Sequence, residues 1–418
     1  MQEKIKYYDV FVPGGYPTYT YNPRVELKLQ ENLYLARCNL AKLMIVTGQT
    51  KAGKTVLVDK VYPHSENVWV DGGTISSEEM FWETIVEQLN GYTENNLGYN
   101  ENTQISMSIT DSISGGIKLI SGSRESSEIQ SSSNQHSEIR SRRISNKVKA
   151  IEILKSEKTA LVVDDFHYMP QLIQKNIIRA LKAPIMVGVP VIFIAIPSRK
   201  FEVISIEREM TGRVEQIQMP EWTENDLYTI ADKGFNALNV KVREEVINRF
   251  AKEALGSPFL MQEFCRAYCR AVGIDEKYNE RKQIITDVNL VTIFQNVAEN
   301  SGRSMFKKLE MGPRARSDRK ERTMRDGTKT DIYGLVMAAL KNLKPTETIK
   351  YDTLRTAIRE ISLDEPPQRG EISRILEKIA EISHTDNSST PVIDWQKDDD
   401  LLTITDPFFA FYLRWAKE

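Results

Sequence analysis

Apolar positions in the first half of the chain gather into short continuous runs, the pattern of strands buried on both faces. One run covers 43–46 and ends in a Gly-rich turn, a second covers 68–70 and is bounded by Asp71, Gly72 and Gly73, and others cover 160–163 and 191–196. Between the runs the period becomes helical. Met80, Phe81, Ile85, Val86 and Leu89 recur at helix spacing after Ser76 and Ser77, residues suited to an N-cap. Buried strands separated by helices predict parallel βα units, so the first half reads as α/β.

Residues 92–145 interrupt this pattern. Ile105, Met107 and Ile109 alternate, Gly115 and Gly116 follow, and Ile117 and Leu119 alternate again, which predicts a β-hairpin insertion. Beyond it, 121–145 holds ten serines in 25 residues, too polar to bury, and reads as a mobile loop. A sensor or interface role and a passive excursion both fit that loop.

From residue 223 the strand signals stop. Helical periods cover 224–238, 243–255, 258–272 and 287–299, which make a separate helical unit. Residues 303–329 carry ten Lys or Arg against four Asp or Glu, punctuated by Gly302, Gly312 and Pro313, and read as a linker. Helices at 332–343, 351–361 and 371–382 and strands at 392–395 and 401–404 follow, the order of a winged helix. Phe408, Phe409, Phe411, Tyr412 and Trp415 then predict a core-closing helix. The expected organisation is an α/β core over 1–222, a helical unit over 223–300, a basic linker over 301–330 and a winged helix over 331–418.

Composition narrows the partners. At 418 residues the chain is longer than one core usually serves, and 40% hydrophobic with 27% charged residues is neither disordered nor fibrous. A net charge of -2 gives no overall pull towards nucleic acid or acidic lipid, so such binding would need a local patch. Cys38, Cys265 and Cys269 are too few for a disulfide scaffold, and the latter two read as core. The longest apolar run, 183–197, is broken by Pro184 and Pro190 and is shorter than the roughly 20 residues of a membrane helix. A cytoplasmic protein with no membrane partner is expected.

The candidate chemistry starts at Gly48-Gln49-Thr50-Lys51-Ala52-Gly53-Lys54-Thr55, a full G-x-x-x-x-G-K-[ST] match between a strand and a helical stretch. The glycines let backbone N–H groups face phosphate oxygens, Lys54 neutralises the terminal phosphates, and Thr55 supplies an oxygen to magnesium. Leu161-Val162-Val163-Asp164-Asp165 is an apolar strand ending in two carboxylates. Asp164 is expected in the magnesium shell, and Asp165 to orient or deprotonate the attacking water. There is no guanine-reading N-K-x-D, so ATP with Mg2+ is the expected cofactor.

These motifs, in this order, resemble the AAA+ and STAND branch of P-loop ATPases, particularly archaeal origin-recognition, transposition-helper and signalling ATPases. The resemblance implies a parallel-sheet P-loop ATPase core, a helical lid domain and a C-terminal winged-helix domain. It also implies that Ser198 reads the γ-phosphate and that Arg199 assists it, although Pro197 stands where STAND proteins usually carry Thr or Ser. Arg213, in Gly212-Arg213-Val214-Glu215, resembles the arginine that many AAA+ subunits present to a neighbour's nucleotide. Pro258, in Gly256-Ser257-Pro258, resembles the G-x-P lid motif, with Phe259 and Leu260 where an arginine often follows. Tyr21-Asn22-Pro23-Arg24 resembles the segment bordering the adenine, so Tyr21, Pro23 and Arg24 are expected there.

Two roles follow from the resemblance. In one, the chain is a nucleotide-switched ATPase that forms an ATP-dependent homo-oligomer and controls a partner protein, as in prokaryotic defence or signalling. In the other it assembles on duplex DNA through 303–329 and the winged helix. Arg369, Arg374 and Lys378 suit DNA, but Glu371, Glu377, Glu381, Asp394, Asp398, Asp399 and Asp400 repel phosphate and favour a protein-facing module.

Overall fold

The computed structural model describes residues 4–38, 41–89, 94–98, 139–195, 212–313, 319–344, 348–384 and 391–417. After a one-turn helix α1 (Tyr7–Val10), residues 11–24 run without regular structure to a short helix α2 (Leu29–Tyr34). The core follows as β1 (Leu43–Thr47), α3 (Lys54–Val61), β2 (Val68–Asp71) and α4 (Glu78–Gln88), which Ser77 caps by accepting from the Met80 N–H. Next come β3 (Glu94–Gly98), β4 (Ile139–Arg143), α5 (Asn146–Glu157), β5 (Leu161–Asp164), α6 (Gln171–Met186), β6 (Val191–Ala195) and β7 (Val214–Gln218).

β2, β5, β6, β1 and β7 form, in that order, one parallel sheet. β2, β5, β6 and β1 are apolar at successive positions because both faces are covered, while the edge strand β7 is mostly polar and less buried. Leu43, Ile45, Val70, Val163 and Phe193 pack into an apolar cluster on one face, and Met44, Val46, Trp69, Val162 and Ile192 into another on the opposite face. The βα units read from the sequence are present. The hairpin expected at 105–119 lies outside the described residues. Within the expected serine-rich loop, however, 139–143 is a strand, paired antiparallel with Glu94–Gly98.

The second half continues with α7 (Glu224–Ala237), β8 (Val240–Lys241), α8 (Glu244–Glu253), α9 (Pro258–Val272), β9 (Lys282–Gln283) and α10 (Leu290–Met311). Thr223 and Asp226 form a reciprocal capping box at the start of α7, and Ser257 caps α9 with Pro258 in its first turn. A small ladder, β10 (Arg322–Thr323) and β11 (Lys329–Thr330), precedes α11 (Ile332–Leu343), β12 (Thr348–Lys350), α12 (Tyr351–Ile361), α13 (Arg369–His384), β13 (Ile393–Gln396), β14 (Leu401–Ile404) and α14 (Pro407–Trp415). β12, β14 and β13 form an antiparallel sheet in that order. The core, helical unit and C-terminal unit thus follow in the expected sequence.

The segment expected to be a linker is not one at its start, because α10 continues through Gly302 to Met311. Gly302 is not a break: a Cβ there would lie 2.3 Å from the Tyr412 Cβ, so the missing side chain lets α10 approach α14. Nor is the boundary at residue 300 a boundary between cores. A single apolar cluster runs from Leu227 and Phe264 through Phe294 to Leu335, Phe411 and Leu413. Glu253, fully buried at the end of α8, fixes this union by ion pairs with Arg249 (3.1 Å) and Arg414 (3.0 Å) and by accepting from the Trp415 indole (2.8 Å).

Candidate active site

β1 and β5 deliver their C-terminal ends to the same edge of the sheet, with β6 between them. Gly53 turns the chain at φ 89° into the N-terminus of α3, where unpaired backbone N–H groups and the helix dipole favour an anion. Thr50, Lys51, Gly53, Lys54 and Thr55 line a cavity of about 440 Å³ together with Asp164 and Asp165. Tyr21, Pro23, Arg24 and Pro258 line the same cavity, so residues from four distant parts of the sequence converge there.

Gly48, Gln49 and Ala52 support the loop from behind. A Cβ on Gly48 would lie 2.9 Å from the Met219 Cβ, the Gln49 amide donates to Glu221 (2.8 Å), and the Ala52 carbonyl accepts from the Trp222 indole (2.8 Å). The Lys54 ammonium donates to the carbonyls of Gly48 (3.0 Å) and Gln49 (2.8 Å), and burial lowers its pKa. The Thr55 hydroxyl donates to Asp164 Oδ2 (2.7 Å), and Asp164 Oδ1 accepts from the Asp165 N–H (2.9 Å). Burial raises the Asp164 pKa. It also pushes Asp165 up to about 6, with the neighbouring Asp164 and Asp71 charges adding to the effect.

Arg24 is buried and has a left-handed backbone, φ 47°. Its Nη1 donates to the carbonyls of Pro220 (3.0 Å) and Glu221 (3.2 Å), and its guanidinium lies 4.2 Å over the Trp222 ring. The Tyr21 hydroxyl accepts from Gln30 (2.9 Å), and its carbonyl accepts from Lys233 (2.9 Å). Lys51 turns outward, with its ammonium 3.6 Å from the centroid of Phe408 at the start of α14. The phosphate loop and the C-terminal helix therefore touch.

Arg213 is not part of this cavity. It is exposed at the N-terminal end of β7, and its carbonyl accepts from the Leu43 N–H (2.8 Å), which places it at the far end of the sheet from Gly48. Ser198 and Arg199 lie outside the described residues. Sequence reasoning missed another wall: Gly14, Gly15, Pro17 and Thr20 line the cavity, as do Met219, Trp222, Phe259 and Gln262. The only trace of the first group is its turn chemistry, Pro13-Gly14-Gly15 followed by Pro17. Gln262 holds that segment, accepting from the Val12 N–H (2.9 Å) and the Thr20 hydroxyl (3.1 Å).

No family model matches the chain, and no curated protein does. Solved structures do. A Walker-type ATPase of Pyrococcus abyssi is similar over 92% of this chain and 94% of its own, at 13% identity and a TM-score of 0.50. The chain has the fold of that ATPase. It is similar more loosely to the ORC1 protein of Aeropyrum pernix in complex with DNA (12% identity, 98% and 96% coverage, TM-score 0.45). The same holds for Cdc6p from Pyrobaculum aerophilum (12% identity, 98% and 97% coverage, TM-score 0.42). Among the described residues, no helix is long and apolar enough to cross a membrane.

The donor set fits magnesium as well as phosphate. Thr55 and Asp164 offer hard oxygen ligands at the mouth of the phosphate loop, the kind this ion takes alongside phosphate oxygens. Those two residues would hold Mg2+, which supplies charge neutralisation of the phosphates when bound. Lys54 and Asp165 line the same cavity beside them.

Proposed function

We propose that this chain is a Mg2+-dependent ATPase of the AAA+/STAND type, a cytoplasmic switch whose nucleotide state controls its assembly or a partner protein, as in prokaryotic defence or signalling. The observation that carries this reading is the meeting of Lys54, Thr55, Asp164 and Asp165 in one cavity, walled on the other side by Tyr21, Pro23, Arg24 and Pro258. Ser198 and Arg199 would sense the γ-phosphate, since β6, the strand before them, ends between β1 and β5. Arg213, too distant for its own site, would serve a neighbour's site in a homo-oligomer. The C-terminal unit, whose element order is that of a winged helix, would report the nucleotide through its contact with Lys51.

Charge pairing supports a protein partner over duplex DNA. On the face expected to meet DNA, Arg369 pairs with Asp400, Lys378 with Glu381, and Lys397 with Glu377 at 2.8 Å. In the basic stretch Arg319 pairs with Asp331 (2.7 Å) and Arg322, buried, with Glu371 (2.8 Å). Steady-state ATP hydrolysis with and without duplex DNA tests both roles, with Lys54→Ala as the blank. Hydrolysis that falls in Lys54→Ala by about 100-fold or more and ignores DNA fits the switch. Stimulation by duplex would replace that role with assembly on DNA, and equal rates in wild type and Lys54→Ala would end the ATPase reading.

A further inference from the structure

The strands β2 and β5 are parallel neighbours, with Asp71 level with Asp164. The chain leaving each strand therefore runs beside the other: Gly72–Thr74 forms one tight turn, and Asp165 opens a second, Phe166–Tyr168. A Cβ built on Gly72 would lie 2.5 Å from the Asp165 carbonyl oxygen, 2.9 Å from its carbonyl carbon and 3.1 Å from the Asp164 carbonyl oxygen. All three are backbone atoms, so no side-chain rotation relieves the overlap.

Both turns are pinned. Asp71 Oδ1 accepts from the Gly73 N–H (2.8 Å), and the Asp71 carbonyl accepts from the Thr74 hydroxyl (2.8 Å). Asp165 sits at φ 48°, in the left-handed region that Asp adopts more readily than most residues with a side chain. Its carbonyl, the group facing Gly72, accepts from the Tyr168 N–H (3.0 Å), and its own N–H is held by Asp164. Gly72 does not need glycine for its own dihedral angles. It needs the space a side chain would occupy.

We infer that Gly72 is a positioning residue for Asp165: its bare backbone lets the Asp165 carbonyl lie against it, and so fixes the direction of the carboxylate assigned to the attacking water. The inference rests on the hydrolysis reading above. A Cβ on Gly72 would meet the Asp165 and Asp164 backbone before any atom of the phosphate loop, and the Thr55–Asp164 hydrogen bond is made by side chains, so displacing Asp165 should affect kcat more than nucleotide binding.

The test compares full-length wild type with Gly72→Ala, Asp165→Asn and the double variant, measuring kcat and, separately, the ATP Kd by calorimetry in Mg2+. Gly73→Ala is the control, because a Cβ there meets only Asp71, its nearest atom Oδ1 at 3.1 Å. Gly72→Ala should lower kcat by roughly 10-fold or more with Kd within about 3-fold, Gly73→Ala should keep kcat, and the double variant should be no slower than Asp165→Asn. Should Gly72→Ala fail to fold, Thr74→Val removes the hydroxyl bond that closes the same turn, adds no bulk and changes no charge, and should show the same split. Normal kcat in the variant that is measured, parallel loss of kcat and ATP affinity, or losses that multiply in the double variant would each overturn the inference. Wild-type turnover no faster than Lys54→Ala would instead remove the hydrolysis reading, and the inference with it.

Discussion

The two halves of this molecule hold themselves together differently. In the α/β half a five-stranded sheet separates two apolar clusters, and β1, β2, β5 and β6 contribute alternate side chains to them. In the helical half one cluster passes without a break from the helices after residue 223 to the last helix. A sheet divides its core and presents chemistry at strand ends. Packed helices merge their cores and become one body, so the three units expected from sequence act as two, meeting where Lys51 lies over Phe408.

Three substitutions test that contrast. The largest effect is expected from Glu253→Ala, which leaves Arg414 and the Trp415 indole without their buried acceptor. A loss of about 3–5 kcal/mol is expected, and denaturant unfolding should show the helical half melting apart from the sheet. If unfolding stays a single transition of unchanged midpoint, the buried carboxylate does not hold the helical half together. Gly302→Ala should cost about 1–3 kcal/mol, because its Cβ meets Tyr412 where α10 and α14 approach. A neutral result there would show that the two helices can part freely and that the merged core is loosely packed at this point.

The smallest effect concerns the seam between the halves. Phe408→Leu keeps most of the apolar volume but removes the ring face beneath the Lys51 ammonium, an interaction of about 0.5–1 kcal/mol. Phosphate competes for that ammonium, so ATP should bind roughly 2–5-fold more tightly to Phe408→Leu. Weaker binding would mean that the packed arrangement helps to hold the nucleotide.

Legibility in the sequence followed the same division. The phosphate loop, Asp164 and Asp165 could be read because their chemistry depends on residues close together, placed by strands whose apolar runs are self-evident. The helices at 224–237 and 258–272 were readable from their own period. What escaped depends on partners far along the chain. Gly302 looks like a helix breaker until Tyr412 is beside it, and 12–20 looks like a featureless turn until Gln262 holds it over the cavity. Arg319 and Arg322 look like free cations until Asp331 and Glu371 are placed against them.

The segment over the cavity also bears on the order of folding. Lys4 pairs with Glu276, 272 positions away, and Gln262 binds Val12 and Thr20 across 250 and 242 positions. Contacts of such separation close large loops and form late, after the more local βα units have paired. On the ribosome residues 12–20 emerge well before α9 and must wait for it before they can dock. ATP affinity should therefore appear as one of the last steps of refolding, well after the secondary structure of the sheet is complete.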